Sequence, residues 1–186
     1  MYATIRARLL EYTRLHLSTT SVARYVLRSA GCDGARTILF LSGDLYPDYL
    51  RCLTLHGLKR LLGRACHDSP RVSHMYSDYG GDFRGLYGKG FSYSGLLDPA
   101  LHDPAVEAAE AAEAAGRAGG IVGRIAAHAF DVVVYGSYHR GMPHYDAVRS
   151  AYKPGEVILL CGEDAHACDY DRYVREGHYV FVRELE

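Results

Sequence analysis

Thr37-Ile38-Leu39-Phe40-Leu41-Ser42-Gly43-Asp44 carries a plain strand signal. Four consecutive apolar residues, closed by small and polar ones, predict a short strand buried on both faces, as in a parallel sheet. A strand with one wet face would alternate apolar and polar residues instead. A helix is predicted next. Pro47 suits its first turn, and Leu50, Leu53, Gly57, Leu58, Leu61 and Leu62 recur at helical spacing before Gly63.

The same strand-then-helix pattern returns along the chain. Arg64 to Asp68 predicts a short second strand. Asp103-Pro104 opens a helix, with Asp as the cap and Pro in the first turn. Glu107, Glu110 and Glu113 form one stripe within its alanine run and are expected to face solvent. A second apolar stripe, Ile121, Val122, Ile125, Ala126 and Ala129, leads into Val132-Val133-Val134-Tyr135. Val157 to Cys161 and Tyr179 to Val182 complete the strands, with short helices over roughly 143–151 and 166–175. Alternation of this kind implies right-handed crossovers. The expected fold is a single Rossmann-like α/β domain over residues 36–186, a mostly parallel sheet of about five strands with helices on both faces. Residues 1–35 read as an N-terminal helical extension, broken near Ser18 to Ser21. Residues 69–100, rich in Tyr and Gly and without a period, predict a long loop that is either functional or packed on its own rings.

Composition narrows the function classes. The 186 residues are enough for one domain with a sizeable core. Lys and Arg total 21 against 22 Asp and Glu, which disfavours a nucleic-acid binder. No apolar run reaches the roughly 18 residues of a membrane span, and the first thirty residues lack a signal peptide's apolar core. The five cysteines include no Cys-x-x-Cys pair, so reduced thiols and a cytoplasmic location are expected.

Ligands of open α/β sheets bind beyond the carboxyl ends of the strands. That rule selects Ser42-Gly43-Asp44, Gly136-Ser137-Tyr138-His139-Arg140 and Gly162-Glu163-Asp164-Ala165-His166. Asp44 is either a helix cap or a ligand group. Ser137, His139 and Arg140 offer a hydroxyl, a titratable ring and a guanidinium fork suited to phosphate or carboxylate. Asp44, His139, Asp164 and His166 could converge on a metal, but no compact metal-ligand spacing supports it, and none is assigned. Gly85 to Gly90 fails as a phosphate loop, because Phe83 stands where glycine is needed and Gly90 where Ser or Thr is needed. The first strand is not followed by Gly-x-Gly-x-x-Gly, and no Gly-x-Ser-x-Gly elbow occurs.

Several segments together resemble a known family. Ile38 to Leu41, Asp44-x-x-Pro47-Asp48-Tyr49-Leu50 and His56-Gly57-Leu58-x-x-Leu61-Leu62-Gly63 resemble the amino-terminal half of GT-B-type glycosyltransferases and CgeB-like proteins. Leu86 to Phe91, Phe130 to Arg140, Gly162-Glu163-Asp164-x-His166 and Val182 to Leu185 fit the same outline, over about residues 36–185. The resemblance implies a glycosyltransferase-like domain that binds a nucleotide, sugar or phosphorylated small molecule at the strand ends. His139 or Asp44 would be the base, with Ser42, Gly43, Gly136, Ser137, Arg140, Gly162, Glu163, Asp164 and His166 as ligand contacts. The donor-binding half of such enzymes has no counterpart here, so a partner subunit or second copy is expected to complete the site. No cofactor is specified. The alternatives are a non-catalytic interaction or regulatory module and a small metal-dependent hydrolase.

Overall fold

The computed structural model describes residues 2–86, 93–163 and 169–183. It shows a single Rossmann-like α/β domain. Five parallel strands lie in the order β2-β1-β3-β4-β5. They are β1 (Ile38–Leu41), β2 (Cys66–Ser69), β3 (Val132–Tyr135), β4 (Val157–Cys161) and β5 (Tyr179–Val182). The register runs Ile38 with Cys66 on one side of β1 and with Val132 on the other.

The unbroken apolar runs now have their cause, because both faces of the sheet are covered. On one face, Ala23, Val26 and Leu27 of helix α2 (Thr19–Ser29) and Cys52, Leu55 and Leu58 of α3 (Tyr49–Leu62) pack on Ile38, Phe40, Val134 and Leu160. On the other, α4 (Pro104–Ala114), α5 (Ile121–Ala126) and α6 (Tyr145–Ala151) cover Leu39, Leu41, Val133, Tyr135 and Leu159. Tyr173 of α7 (Tyr170–Arg175) joins that second face. Gly57 lets α2 cross α3 closely: a Cβ there would lie 2.8 Å from that of Ala23. α2 is therefore part of the core layer. α1 (Tyr2–His16) is not, and Ile5, Leu9, Leu10, Tyr12 and Leu15 on it are exposed.

The break between the first two helices falls at Ser18, whose hydroxyl caps α2 by accepting from the Ser21 N–H at 3.2 Å. Asp103 caps α4 as its sequence predicts, ahead of Pro104. Two expectations are corrected. The glutamate stripe of α4 is not simply a wet face: Glu110 accepts from Ser69 Oγ at 2.6 Å, and Glu113 from the Val122 N–H at 3.0 Å. The thiols are not all reduced either, since Cys161 is disulfide-bonded while Cys32, Cys52 and Cys66 are free.

The Tyr/Gly segment, as far as it is described, folds under the β2 edge. Val72, Met75, Tyr76 and Leu97 are buried, and Tyr76 bridges to Leu97. Tyr79 packs edge-on against Phe83. Tyr87 and Lys89 lie outside the described residues. Among those described, no helix is long and apolar enough to cross a membrane.

Candidate functional site

A cleft of about 250 Å³ opens beyond the carboxyl ends of the strands. Tyr46, Pro47, Asp48 and Tyr49 from the β1–α3 connection line it, with Arg140 after β3, Gly162 and Glu163 after β4, and Arg183 after β5. Its position follows from topology, because the strand order reverses between β1 and β3.

The β1–α3 connection is built around two arginines. Arg51, wholly buried in the first turn of α3, donates from its guanidinium to the carbonyls of Asp44 and Tyr46. Arg140 reaches the same connection from β3, donating from Nη1 to the carbonyl oxygens of Tyr46 at 2.8 Å and Pro47 at 3.3 Å. Gly43 permits the approach: a Cβ there would sit 2.7 Å from the Arg140 carbonyl oxygen. The Asp44 N–H donates to that same oxygen at 3.2 Å.

Asp48, rather than Asp44, caps α3. Its Oδ1 accepts from the Arg51 N–H at 3.0 Å, and its backbone is extended, so Pro47 precedes the cap instead of entering the first turn. The Asp44 side chain makes a local turn, accepting from the Tyr46 N–H at 2.7 Å, and the residue is exposed outside the cleft. The Asp48 side chain is fully buried, and Oδ2 accepts from Ser137 Oγ at 2.8 Å. Gly162 is packed against this carboxylate so closely that any side chain there would strike it.

His139 completes the cluster. Its Nε2 lies 3.1 Å from Glu163 Oε1 and 3.9 Å from Asp48 Oδ2. A carboxylate can only accept, so Nε2 carries the hydrogen. Nδ1 is buried and has no partner among the described residues. Burial pushes the His139 pKa down against the opposing pull of Asp48 and Glu163, which favours the neutral ring. Arg140 also donates to Glu163 Oε1, from Nε at 3.0 Å and from Nη2. These hydrogen bonds, outweighing burial, hold the Glu163 carboxyl below its ordinary range.

The strand-end residues thus separate into groups. Ser137, His139, Arg140, Gly162 and Glu163 gather around Asp48. Gly136 backs onto Phe40 and Arg51, behind the cleft. Ser42 is buried, its N–H donating to the Ser69 carbonyl at 3.1 Å, and with Gly43 it supports the floor without lining the cleft. Asp164 and His166 lie outside the described residues. Among those described, no three His, Cys, Asp or Glu side chains group as a metal site.

The central place of Asp48 was missed at the sequence level. The signal was present: Pro47-Asp48 immediately precedes the leucine stripe, and Asp is a strong cap where the chain is still extended. A second polar cluster also escaped notice. Asp68, fully buried on β2, accepts from Lys59 Nζ at 2.7 Å, Tyr76 Oη at 2.8 Å and the Val72 N–H at 3.1 Å. His102 Nδ1 stands 3.2 Å from it. Burial would raise the Asp68 carboxyl, but the hydrogen bonds from His102 and Lys59 and the Lys59 charge hold it well below the usual range. Lys59 also ties to the Leu101 carbonyl, so this closed network braces the β2 edge.

In comparisons with known proteins, no family model, no curated protein and no solved structure matches this chain.

Proposed function

We propose that the chain is a glycosyltransferase-like domain that binds a nucleotide, sugar or phosphorylated small molecule in the cleft beyond β1, β3, β4 and β5. The observation that carries this reading is the convergence there of Arg140, Arg183, a buried carboxylate and two tyrosine rings. Guanidinium groups suit phosphate, and the N-terminus of α3 adds a favourable field for an anion. Tyr46 and Tyr49 give surfaces and phenols on which a sugar can lie. A volume of about 250 Å³ is small, fitting a sugar phosphate or one end of a larger ligand. That size agrees with an incomplete site which a partner subunit or second copy extends. Separately, the exposed Ile5, Leu9, Tyr12 and Leu15 on α1, set among Arg6, Arg8 and Arg14, form an apolar face that a protein partner would cover.

His139 keeps the acid–base role, and the fully buried Asp48 carboxylate, 3.9 Å from its Nε2, positions it. A thermal-shift screen with UDP-, GDP- and CMP-sugars, with and without Mg²⁺ or Mn²⁺, tests the reading. At least one nucleotide sugar is expected to raise the melting temperature, and Arg140→Ala is expected to abolish that rise. A flat response across the whole panel would remove the proposal.

A further inference from the structure

Glu163 Oε1 receives three N–H groups at once, from His139 Nε2, Arg140 Nε and Arg140 Nη2. Convergent charge-assisted donors of this kind are how proteins hold an oxygen of a phosphate or carboxylate ligand. The donors are deep, with side chains 9% and 19% exposed for His139 and Arg140, whereas the glutamate is 35% exposed. Arg140 is also fixed independently, because Nη1 is held by the Tyr46 and Pro47 carbonyls. Its guanidinium therefore keeps its place when the glutamate leaves. The His139 N–H, nearly buried, needs an acceptor whenever the fold is intact, because a buried donor left unpaired is destabilising. The cleft adjoins this point, and both Arg140 and Glu163 form its wall.

We propose that Glu163 is a built-in stand-in for a ligand anion: a phosphate oxygen takes its place on Arg140 Nε, Arg140 Nη2 and His139 Nε2, and the glutamate swings out. This rests on the ligand-binding reading above and sharpens it to a phosphoryl group at a defined seat. With the glutamate in place the seat is self-satisfied, so a ligand must outcompete an internal carboxylate. With it gone, the cleft wall gains positive charge.

Calorimetric titration of the full chain with inorganic phosphate tests the idea in wild type, Glu163→Gln and Arg140→Ala. Glu163→Gln removes the competing charge and keeps the side chain's shape. It is expected to bind phosphate about tenfold more tightly than wild type or better, and Arg140→Ala is expected to lose binding. Phosphate affinity in Glu163→Gln that is unchanged, weaker or absent overturns the seat. Melting curves without phosphate, together with Glu163→Asp, guard against misfolding. Glu163→Asp keeps the charge and is expected to bind no more tightly than wild type, and a gain equal to that of Glu163→Gln would also overturn the proposal. The two readings fail differently. If wild type takes a nucleotide sugar but Glu163→Gln gains nothing, only the stand-in role is lost. If neither protein takes a nucleotide sugar or phosphate, the ligand-binding reading goes with it.

Discussion

Asp68→Ala is expected to destabilise the domain by about 3–5 kcal/mol, because it strands the Lys59 ammonium in a fully buried site. The lost carboxylate also leaves Tyr76 Oη and the Val72 N–H without their acceptor. Against a typical stability of about 5–15 kcal/mol this is a large fraction, equivalent to a melting temperature lower by on the order of 10 °C. Urea unfolding and thermal melts both report it. Replacing the pair together, Asp68→Leu with Lys59→Met, should recover part of the loss by removing the stranded charge. A single variant melting within a degree or two of wild type would show that the network is dispensable.

Asp68 also contributes to the response to acid, together with His74. The Asp68 carboxyl is depressed in the folded state, so its contribution is complete above the ordinary carboxylate range and disappears as pH falls through its folded value. His74 acts earlier. Burial, aided by the Arg51 charge, lowers its pKa to about 4. Below about pH 6.5 the unfolded chain gains a proton there that the folded chain refuses, so stability declines between roughly pH 6.5 and 4. That decline is on the order of 3 kcal/mol from His74 alone, ahead of any loss at Asp68.

Asp48→Ala should be the second large effect, felt in both fold and site. Losing the cap of α3 costs about 0.5–2 kcal/mol, and leaving the Ser137 hydroxyl buried without its acceptor costs about 1–3 kcal/mol. A total near 2–4 kcal/mol is expected, with loss of ligand-induced stabilisation. Asp48→Asn separates hydrogen bonding from charge. Its amide oxygen still accepts from the Arg51 N–H, and its NH2 can donate to Ser137 Oγ, which then accepts instead of donating, so stability should largely return. The negative charge beside His139 and the cleft is gone, which lifts a repulsion from an anionic ligand, so the ligand response should return as well. A folded Asp48→Asn with no ligand response would show that binding needs the carboxylate charge itself.

The fold was legible because its strands are continuous apolar runs. Ile38 to Leu41, Val132 to Val134 and Val157 to Cys161 carry a signal that only a doubly covered sheet explains. Strand order and register were not legible, since they depend on contacts across long separations such as Ile38 with Val132. The strand-end rule found Ser137, His139, Arg140, Gly162 and Glu163, because position after a buried strand is local information. It gave Asp44 the place that belongs to Asp48, four residues on, because the helix begins only after Pro47. The Lys59–Asp68–His102–Tyr76 network was invisible, since its members come from a helix, a strand and two turns with no shared pattern. The α4 glutamates likewise read as solvated until β2 and α5 were placed beside them.

Backbone amide shifts, mapped as a nucleotide sugar or inorganic phosphate is titrated into the ¹⁵N-labelled full chain, show whether the strand-end cleft takes a ligand. Saturable changes are expected at Tyr46, Asp48, Tyr49, Arg140, Gly162, Glu163 and Arg183, the residues of that cleft. Changes centred on α1 or the β2 edge, or no saturable change at all, would rule the cleft out as the binding site.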